Sequence, residues 1–240
     1  MYNKKNLSYT LIKLSTDVEK FLNYIHRIPD PQIHFEYGKI FHCFLTNEPI
    51  NNIHVHTKKS ILSDDKQKVF INIHEACCSI LLSIMLKNNK EYQQAITGNI
   101  EYEKSKITHF VYKKRLFFIK TIPDIYNVDN KNIIELKTTS MPHYMGSRIV
   151  ENYSYDMQMY MYLLSYNFKI NNITIFFSSK TEYKMQSYKI SQQNLDKGRD
   201  KFIFYLQKSF DLLEQYNLIE KFSFGEIEYF YFYLHLTLML

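Results

Sequence analysis

Apolar residues recur at helical spacing through the first 90 residues and then shift to strand-like runs. Ser8 stands where it can cap a helix carrying Leu11, Ile12 and Leu14, and Asp17 where it can cap one carrying Val18, Phe21, Leu22 and Ile25. Pro29-Asp30-Pro31 forces a turn. A third periodic segment with Phe35, Ile40, Phe41, Phe44 and Leu45 runs up to Glu48-Pro49. Residues 51–67 are polar and read as a loop, and 74–86 as another amphipathic helix. Beyond Gly98, residues 100–112 and 116–126 are rich in β-branched and aromatic side chains, with the basic turn Lys113-Lys114-Arg115 between them. After a polar turn at 127–131, residues 132–138 make a third strand, which predicts an antiparallel meander. A loop over 140–152, a helix over 153–166, strands over 172–178 and 184–190, and a long helix over 194–216 complete the pattern.

Helices, three strands, a helix, two strands and a helix make a mixed α/β domain, a central sheet flanked by helices, with an N-terminal helical portion. There is no internal repeat and no linker long enough to split the chain. Residues 1–240 therefore read as one domain: a helical portion over 1–95, a mixed core over 96–216, and an unassigned apolar tail over 217–240. The apolar run at 229–240 is short of the roughly 20 residues that cross a bilayer, and it reads as a buried element or an aromatic tail packed on the core.

Composition removes several classes of chemistry. With 5 glycines the chain has neither GxxxxGK[ST] nor GxGxxG, which argues against a P-loop ATPase or a dinucleotide enzyme. Cys43, Cys77 and Cys78 make no CxxC and no even disulfide framework, so reduced cytoplasmic thiols are the expectation. Met1-Tyr2-Asn3-Lys4-Lys5 is followed by no apolar segment of signal-peptide type. The net charge of +6 suits a polyanionic partner.

The chemistry concentrates at 121–139, TIPDIYNVDNKNIIELKTT. Glu135 and Lys137 are two apart and share a strand face, while Ile134 and Leu136 point the other way. Across a short hairpin Asp124 comes beside Glu135. Two neighbouring carboxylates repel unless a cation neutralises them. Mg²⁺ does so with one or two carboxylates plus water and phosphate oxygens, and it can activate that water against a phosphodiester. A solvent-facing Glu–Lys pair with an unrelated turn Asp is the bland alternative. Gln158 and Tyr162, at i and i+4, share one helix face and can complete such a site. Glu103 offers a third carboxylate, with Glu101 at the same strand parity as its rival, and His42 sits on an apolar helix face.

Pro123-Asp124, Glu135-Leu136-Lys137 and Gln158-xxx-Tyr162, in this order, resemble the motifs of the PD-(D/E)XK nuclease superfamily in its RecB/lambda-exonuclease branch. LSYTLIKL around Ser8, FEYGKIFHCFL with its GxxxH, and ELKTTS leading into QMYMY extend the resemblance to the exonuclease VIII (RecE-type) group of phage recombination nucleases, over residues 7–201. The resemblance implies a restriction-endonuclease-like core. It makes Asp124, Glu135, Glu103 and His42 metal ligands, with the Leu136 carbonyl as a further oxygen, for Mg²⁺ or alternatively Mn²⁺. It makes Lys137 the catalytic lysine, with Gln158 and Tyr162 completing the site, and Thr138, Thr139 and Arg148 phosphate contacts. It further implies 5′-to-3′ degradation of one strand of linear duplex DNA in recombination or repair, a homo-oligomer, and a single-strand-annealing partner protein. The arginine common before the PD in this group is replaced here by Thr121-Ile122, with Lys120 nearby.

Three alternatives stay open from the residues alone: a single-strand exonuclease, a structure-specific endonuclease, and a non-catalytic DNA-binding protein of the same fold. His54-Val55-His56 reads as a loop histidine pair. Lys113-Lys114-Arg115 and the lysines at 197–201 read either as a backbone track for DNA or as a hairpin turn and a solvated helix face.

Overall fold

The computed structural model describes residues 5–26, 33–46, 53–56, 61–62, 69–140 and 146–223, with side chains throughout except at 33–37, 53–56, 61–62 and 69–71. The Pro29-Asp30-Pro31 turn, the Glu48-Pro49 stop and the 229–240 run lie outside the described residues. The fold is mixed α/β, with sheets flanked by helices. No helix among the described residues is long and apolar enough to cross a membrane.

The chain opens with a two-residue strand, β1 (Leu7–Ser8). Ser8 then accepts the Leu11 N–H and starts α1 (Tyr9–Lys13). Asp17 takes the Lys20 N–H at 3.1 Å at the head of α2 (Val18–His26), and α3 (Ile33–Thr46) follows. The stretch read as a polar loop instead holds short strands, β2 (Ile53–His56) and β3 (Ile61–Leu62), which join β4 (Val69–Asn72) in a small sheet. Their apolar residues alternate over too few positions to stand out from the polar background. His54 and His56 thus lie on a strand, with side chains outside the description. Asn72 caps α4 (Ile73–Lys87), and α5 (Lys90–Ala95) leads into the core.

The expected meander is divided between two sheets. The first run breaks into β5 (Ile100–Tyr102) and β6 (Lys106–Tyr112), and the second into β7 (Arg115–Thr121) and β8 (Ile125–Asn127). β6 and β7 form a hairpin that adds β1 in parallel, giving the order β1-β7-β6. Its turn is Lys113-Lys114, both at positive φ, as a two-residue hairpin turn requires. β5 and β8 pass instead to a five-stranded sheet with β9 (Asn132–Thr139), β10 (Asn172–Ser179) and β11 (Met185–Lys189), in the order β11-β10-β9-β8-β5. Both breaks have local causes. Glu103 takes a φ of 44°, and Pro123 lacks the N–H a continuous ladder needs.

β9 and β10 are parallel, and the crossover between them carries α6 (Ser147–Asn152) and α7 (Tyr155–Ser165). The 140–152 loop reading therefore misses α6, whose Ile149 and Val150 are buried on the sheet. Pro142 and Gly146 had masked so short an apolar pair. The long α8 (Gln192–Gln215) starts in a capping box made by Ser191 and Asn194.

One face of the main sheet, through Ile134 and Leu136, packs on α3 and α4 by way of Phe41 and Leu82. The other, through Ile133, Ile175 and Phe177, packs on α6 and α7 by way of Val150 and Met159. A third cluster joins α1, α2, the β6–β7 hairpin and α8, with Phe21, Phe117, Phe202 and Phe210 fully buried. The N-terminal helices thus share a core with the last one. Phe222, in the segment read only as an apolar tail, is buried there too.

Candidate active site

The β8–β9 register pairs Ile125 with Ile134, which sets Asp124 beside Glu135. The Asp124 carboxylate accepts the Leu136 N–H at 2.6 Å, and the Glu103 N–H donates to the Asp124 carbonyl at 3.0 Å. The two strand breaks therefore place both acids at one sheet end. Glu101 is engaged elsewhere, with Lys104, so Glu103 is the one of the two that stands beside Asp124.

From α3, His42 comes over this end. Its Nε2 lies 3.3 Å from the Leu136 carbonyl, while Nδ1 lies 3.8 Å from Glu103 Oε1 and 3.6 Å from Asp124 Oδ1. One ligand atom from each of His42, Glu103 and Asp124 falls within 4.8 Å of the other two. With Nε2 on the carbonyl, Nδ1 faces the two carboxylates: it is their proton donor when the ring is charged, and a lone pair open to a cation when the ring is neutral. The chemistry of this donor set, one imidazole and two carboxylates, fits a divalent cation.

Glu135 and Lys137 form the other half of the site. Glu135 is 1% exposed, and its oxygens are fully engaged. Lys137 Nζ donates to Oε1 at 2.5 Å and Gln158 Nε2 at 2.8 Å, while Tyr162 Oη donates to Oε2 at 2.9 Å. Gln158 also donates to the Tyr162 oxygen at 2.7 Å, so the i, i+4 pair on α7 acts as one clamp. Glu135 approaches the trio through Asp124, whose N–H points at its Oε2 from 3.5 Å.

The charges respond to this crowding. Burial first, and then the Glu135 charge, push the Asp124 carboxyl up to about 6. Burial alone would lower His42, but Asp124 and the hydrogen bond with Glu103 outweigh it and raise the imidazole. The same hydrogen bond lowers Glu103 against the effect of burial. Burial would likewise lower Lys137, yet the Glu135 and Asp124 charges raise it, so it stands as an ammonium.

A stability test follows from the Asp124 shift. Its folded value lies above the ordinary 3.8 of an exposed Asp, so its contribution is complete below about pH 4 and is lost as pH rises through about 6. In EDTA, Asp124→Asn is expected to be more stable than the wild type at pH 7.5, by on the order of 1–3 kcal/mol, and the gap should close toward pH 4. Equal melting temperatures for the two proteins at every pH would contradict the crowding.

The site opens into a cleft of about 1310 Å³ lined by Gly38, His42, Glu103, Lys137, Thr138, Thr139 and Gln158, among others. That exceeds the roughly 300–1,000 Å³ of sites for small ligands. Thr138 and Thr139 line the cleft, whereas Arg148 is exposed on α6 and is not among the lining residues. The two lysine-rich segments are paired within the chain: Lys113 with Glu214, Arg115 with Glu220, Lys197 with Glu151 and Lys201 with Asp156. The sequence reading passed over Tyr155, whose ring lies 5.1 Å from Lys137 Nζ, and over Tyr9 and Lys13 on the cleft wall. Among 21 tyrosines and 30 basic residues, only the closeness of α1 to the crossover distinguishes these.

No protein-family profile and no curated protein matches the sequence. The fold is similar to a crystal structure from Eubacterium rectale named "Putative exonuclease". The TM-score is 0.67 at 9% identity, over 89% of this chain and 83% of that one. At that identity the likeness shows the fold alone. A "phage related exonuclease" from Haemophilus somnus gives a TM-score of 0.35 at 12% identity, over 55% of this chain and 70% of that one, a likeness too slight to bear on the fold.

Proposed function

We propose that this protein is a metal-dependent deoxyribonuclease with a PD-(D/E)XK core, acting as an exonuclease on linear duplex DNA. The observation that carries the reading is the meeting, at Asp124, of a His42–Glu103–Asp124 donor trio with the Glu135–Lys137–Gln158–Tyr162 cluster, which reach a large cleft through His42, Glu103, Lys137 and Gln158 while Glu135 and Tyr162 stay buried behind them. A fold shared with an exonuclease-named structure is consistent with it.

In this reading His42, Glu103 and Asp124 would hold the cation, with Glu135 against them. A divalent cation, when bound, supplies an activated water and charge stabilisation at the phosphate. Lys137 keeps a positive charge beside the attacking water and orients it. Gln158 and Tyr162 hold the Glu135 carboxylate, which in turn positions the ammonium. Thr138 and Thr139 lie along the cleft, where a phosphate oxygen can accept from their hydroxyls. The Mg²⁺ preference, the 5′-to-3′ polarity, the oligomer and the annealing partner rest on the resemblance of the motifs to RecE-type nucleases.

A time course on end-labelled linear duplex and on the matching closed circle, with Mg²⁺, Mn²⁺ or EDTA, tests the function. Loss of the linear DNA alone, in metal only, is the expected result. Nicking of the circle would replace the exonuclease with an endonuclease. Salt-sensitive binding without cleavage under any metal would replace it with a binding protein.

A further inference from the structure

Next to Lys137, the cleft wall is built from α1 and from the turn between α6 and α7, and the two are fastened together. Tyr9 Oη donates to the Tyr153 carbonyl at 2.9 Å, and Lys13 Nζ donates to the same oxygen at 2.9 Å. The Tyr153 ring stacks on that of Tyr155 with centroids 5.8 Å apart, and Tyr155 lies beneath the Lys137 ammonium. A continuous line therefore runs from Lys137 across two stacked tyrosines to Lys13.

Two features of this wall go beyond what packing needs. Lys13 forms no ion pair with a carboxylate among the described residues; its ammonium lies over the Tyr9 ring at 5.6 Å and gives one N–H to a backbone carbonyl, which leaves donors for an anion. Its charge is also disfavoured, first by burial and then by the neighbouring ammonium groups of Lys137 and Lys201, so a nearby anion would relieve it. Tyr153, in contrast, is 41% exposed although it is part of the cleft lining.

We infer that Lys13 and Tyr153 form a nucleotide subsite beside the scissile position, with Lys13 holding a backbone phosphate and Tyr153 stacking on the base. The base it takes is unpaired. Within a duplex both faces of a base are covered by its neighbours, so only a frayed or single-stranded nucleotide offers a face to the ring. The inference rests on the nuclease reading and assigns residues that the motifs do not touch.

The test is fluorescence anisotropy of the full chain with a labelled thymidine 12-mer, in EDTA and again in Ca²⁺, across a salt series. Lys13→Met should weaken binding about tenfold and flatten the salt dependence by roughly 0.7 in log–log slope, the share of one phosphate on a single strand. Lys13→Arg should restore both. Tyr153→Ala should weaken binding about tenfold with the slope unchanged, and Tyr153→Phe should bind within twofold of the wild type. Melting temperatures identify any variant that loses binding by unfolding, and the Arg and Phe variants keep the comparison valid in that case. Lys13→Met and Tyr153→Ala binding within twofold at an unchanged slope would overturn the subsite. If the wild type still degraded linear duplex, the nuclease reading would survive that result. A wild type that neither bound the 12-mer nor cleaved duplex would overturn both.

Discussion

Lys137→Ala is expected to lower single-turnover cleavage of end-labelled linear duplex by about 10²–10⁴-fold, the range over which a positioned proton-transfer or charge-stabilising group acts. The ammonium lies 2.5 Å from Glu135 Oε1 and over the Tyr155 ring, and it is 21% exposed toward the cleft, while Glu135 is almost fully enclosed. Removing it therefore does two things. It takes away the positive charge that the proposed reading sets beside the attacking water, and it leaves a buried carboxylate with only Gln158, Tyr162 and a distant backbone N–H. The second effect lowers stability, because a buried charge stripped of its counterion is unfavourable. The two effects separate when the single-turnover rate is measured well below the variant's own melting temperature, where Lys137→Ala is folded and should stay inactive. A Lys137→Ala protein that cleaved within threefold of the wild type would remove the lysine from the mechanism. Cleavage at the wild-type rate at low temperature, with loss only near the variant's melting point, would reduce its role to folding.

The parts of this site visible in the sequence are those fixed by local rules. A strand alternates every residue, so Glu135 and Lys137 had to share a face. A helix repeats nearly every four, so Gln158 and Tyr162 had to share another. A hairpin with a polar turn at 127–131 had to bring Asp124 beside Glu135. The parts that were not visible depend on where a run of good strand formers breaks. Residues 100–112 look like one strand, yet Glu103 leaves the sheet at a φ of 44° and β6 departs for another. Propensity is blind to such a break, because Tyr102, Lys106 and Ile107 suit either arrangement. That break brings Glu103, and not Glu101, beside Asp124 and His42. On the other side Pro123 was the available signal, since a residue without an N–H rarely sits inside a ladder. The pairing of β1 with β7 joins residues more than a hundred positions apart and left no local trace. The same is true of Tyr9 and Lys13, which reach the cleft only because α1 packs against the crossover.

A second large effect is expected far from any motif, where α8 crosses the start of α7. Asp156 is fully buried there, and its Oδ2 accepts from Lys201 Nζ at 2.7 Å. Lys201 also donates to the Glu151 carbonyl at 2.7 Å, so one ammonium ties α8 to both helices of the crossover. Three residues earlier, on the same face of α8, Gly198 lies so close to the Asp156 carbonyl that a Cβ would collide with it, and would come within 3.0 Å of the Met157 nitrogen as well. The obstacle is backbone on both counts, so no rotamer change relieves it. Gly198→Ala must push the helices apart, at a cost of about 1–3 kcal/mol or more, and Gly198→Val should cost more still. Lys201→Ala leaves the Asp156 carboxylate buried without its counterion and should cost about 3–5 kcal/mol, read as a fall in the denaturant midpoint at unchanged slope. Asp156→Asn in the same chain should return much of it, because the charge that needed pairing is gone. The helix being held is the one that carries Gln158 and Tyr162, so Gly198→Ala should also slow cleavage at temperatures where it remains folded. A Lys201→Ala midpoint within about 1 kcal/mol of the wild type would mean that water reaches Asp156, and that the crossover is held by its apolar contacts alone.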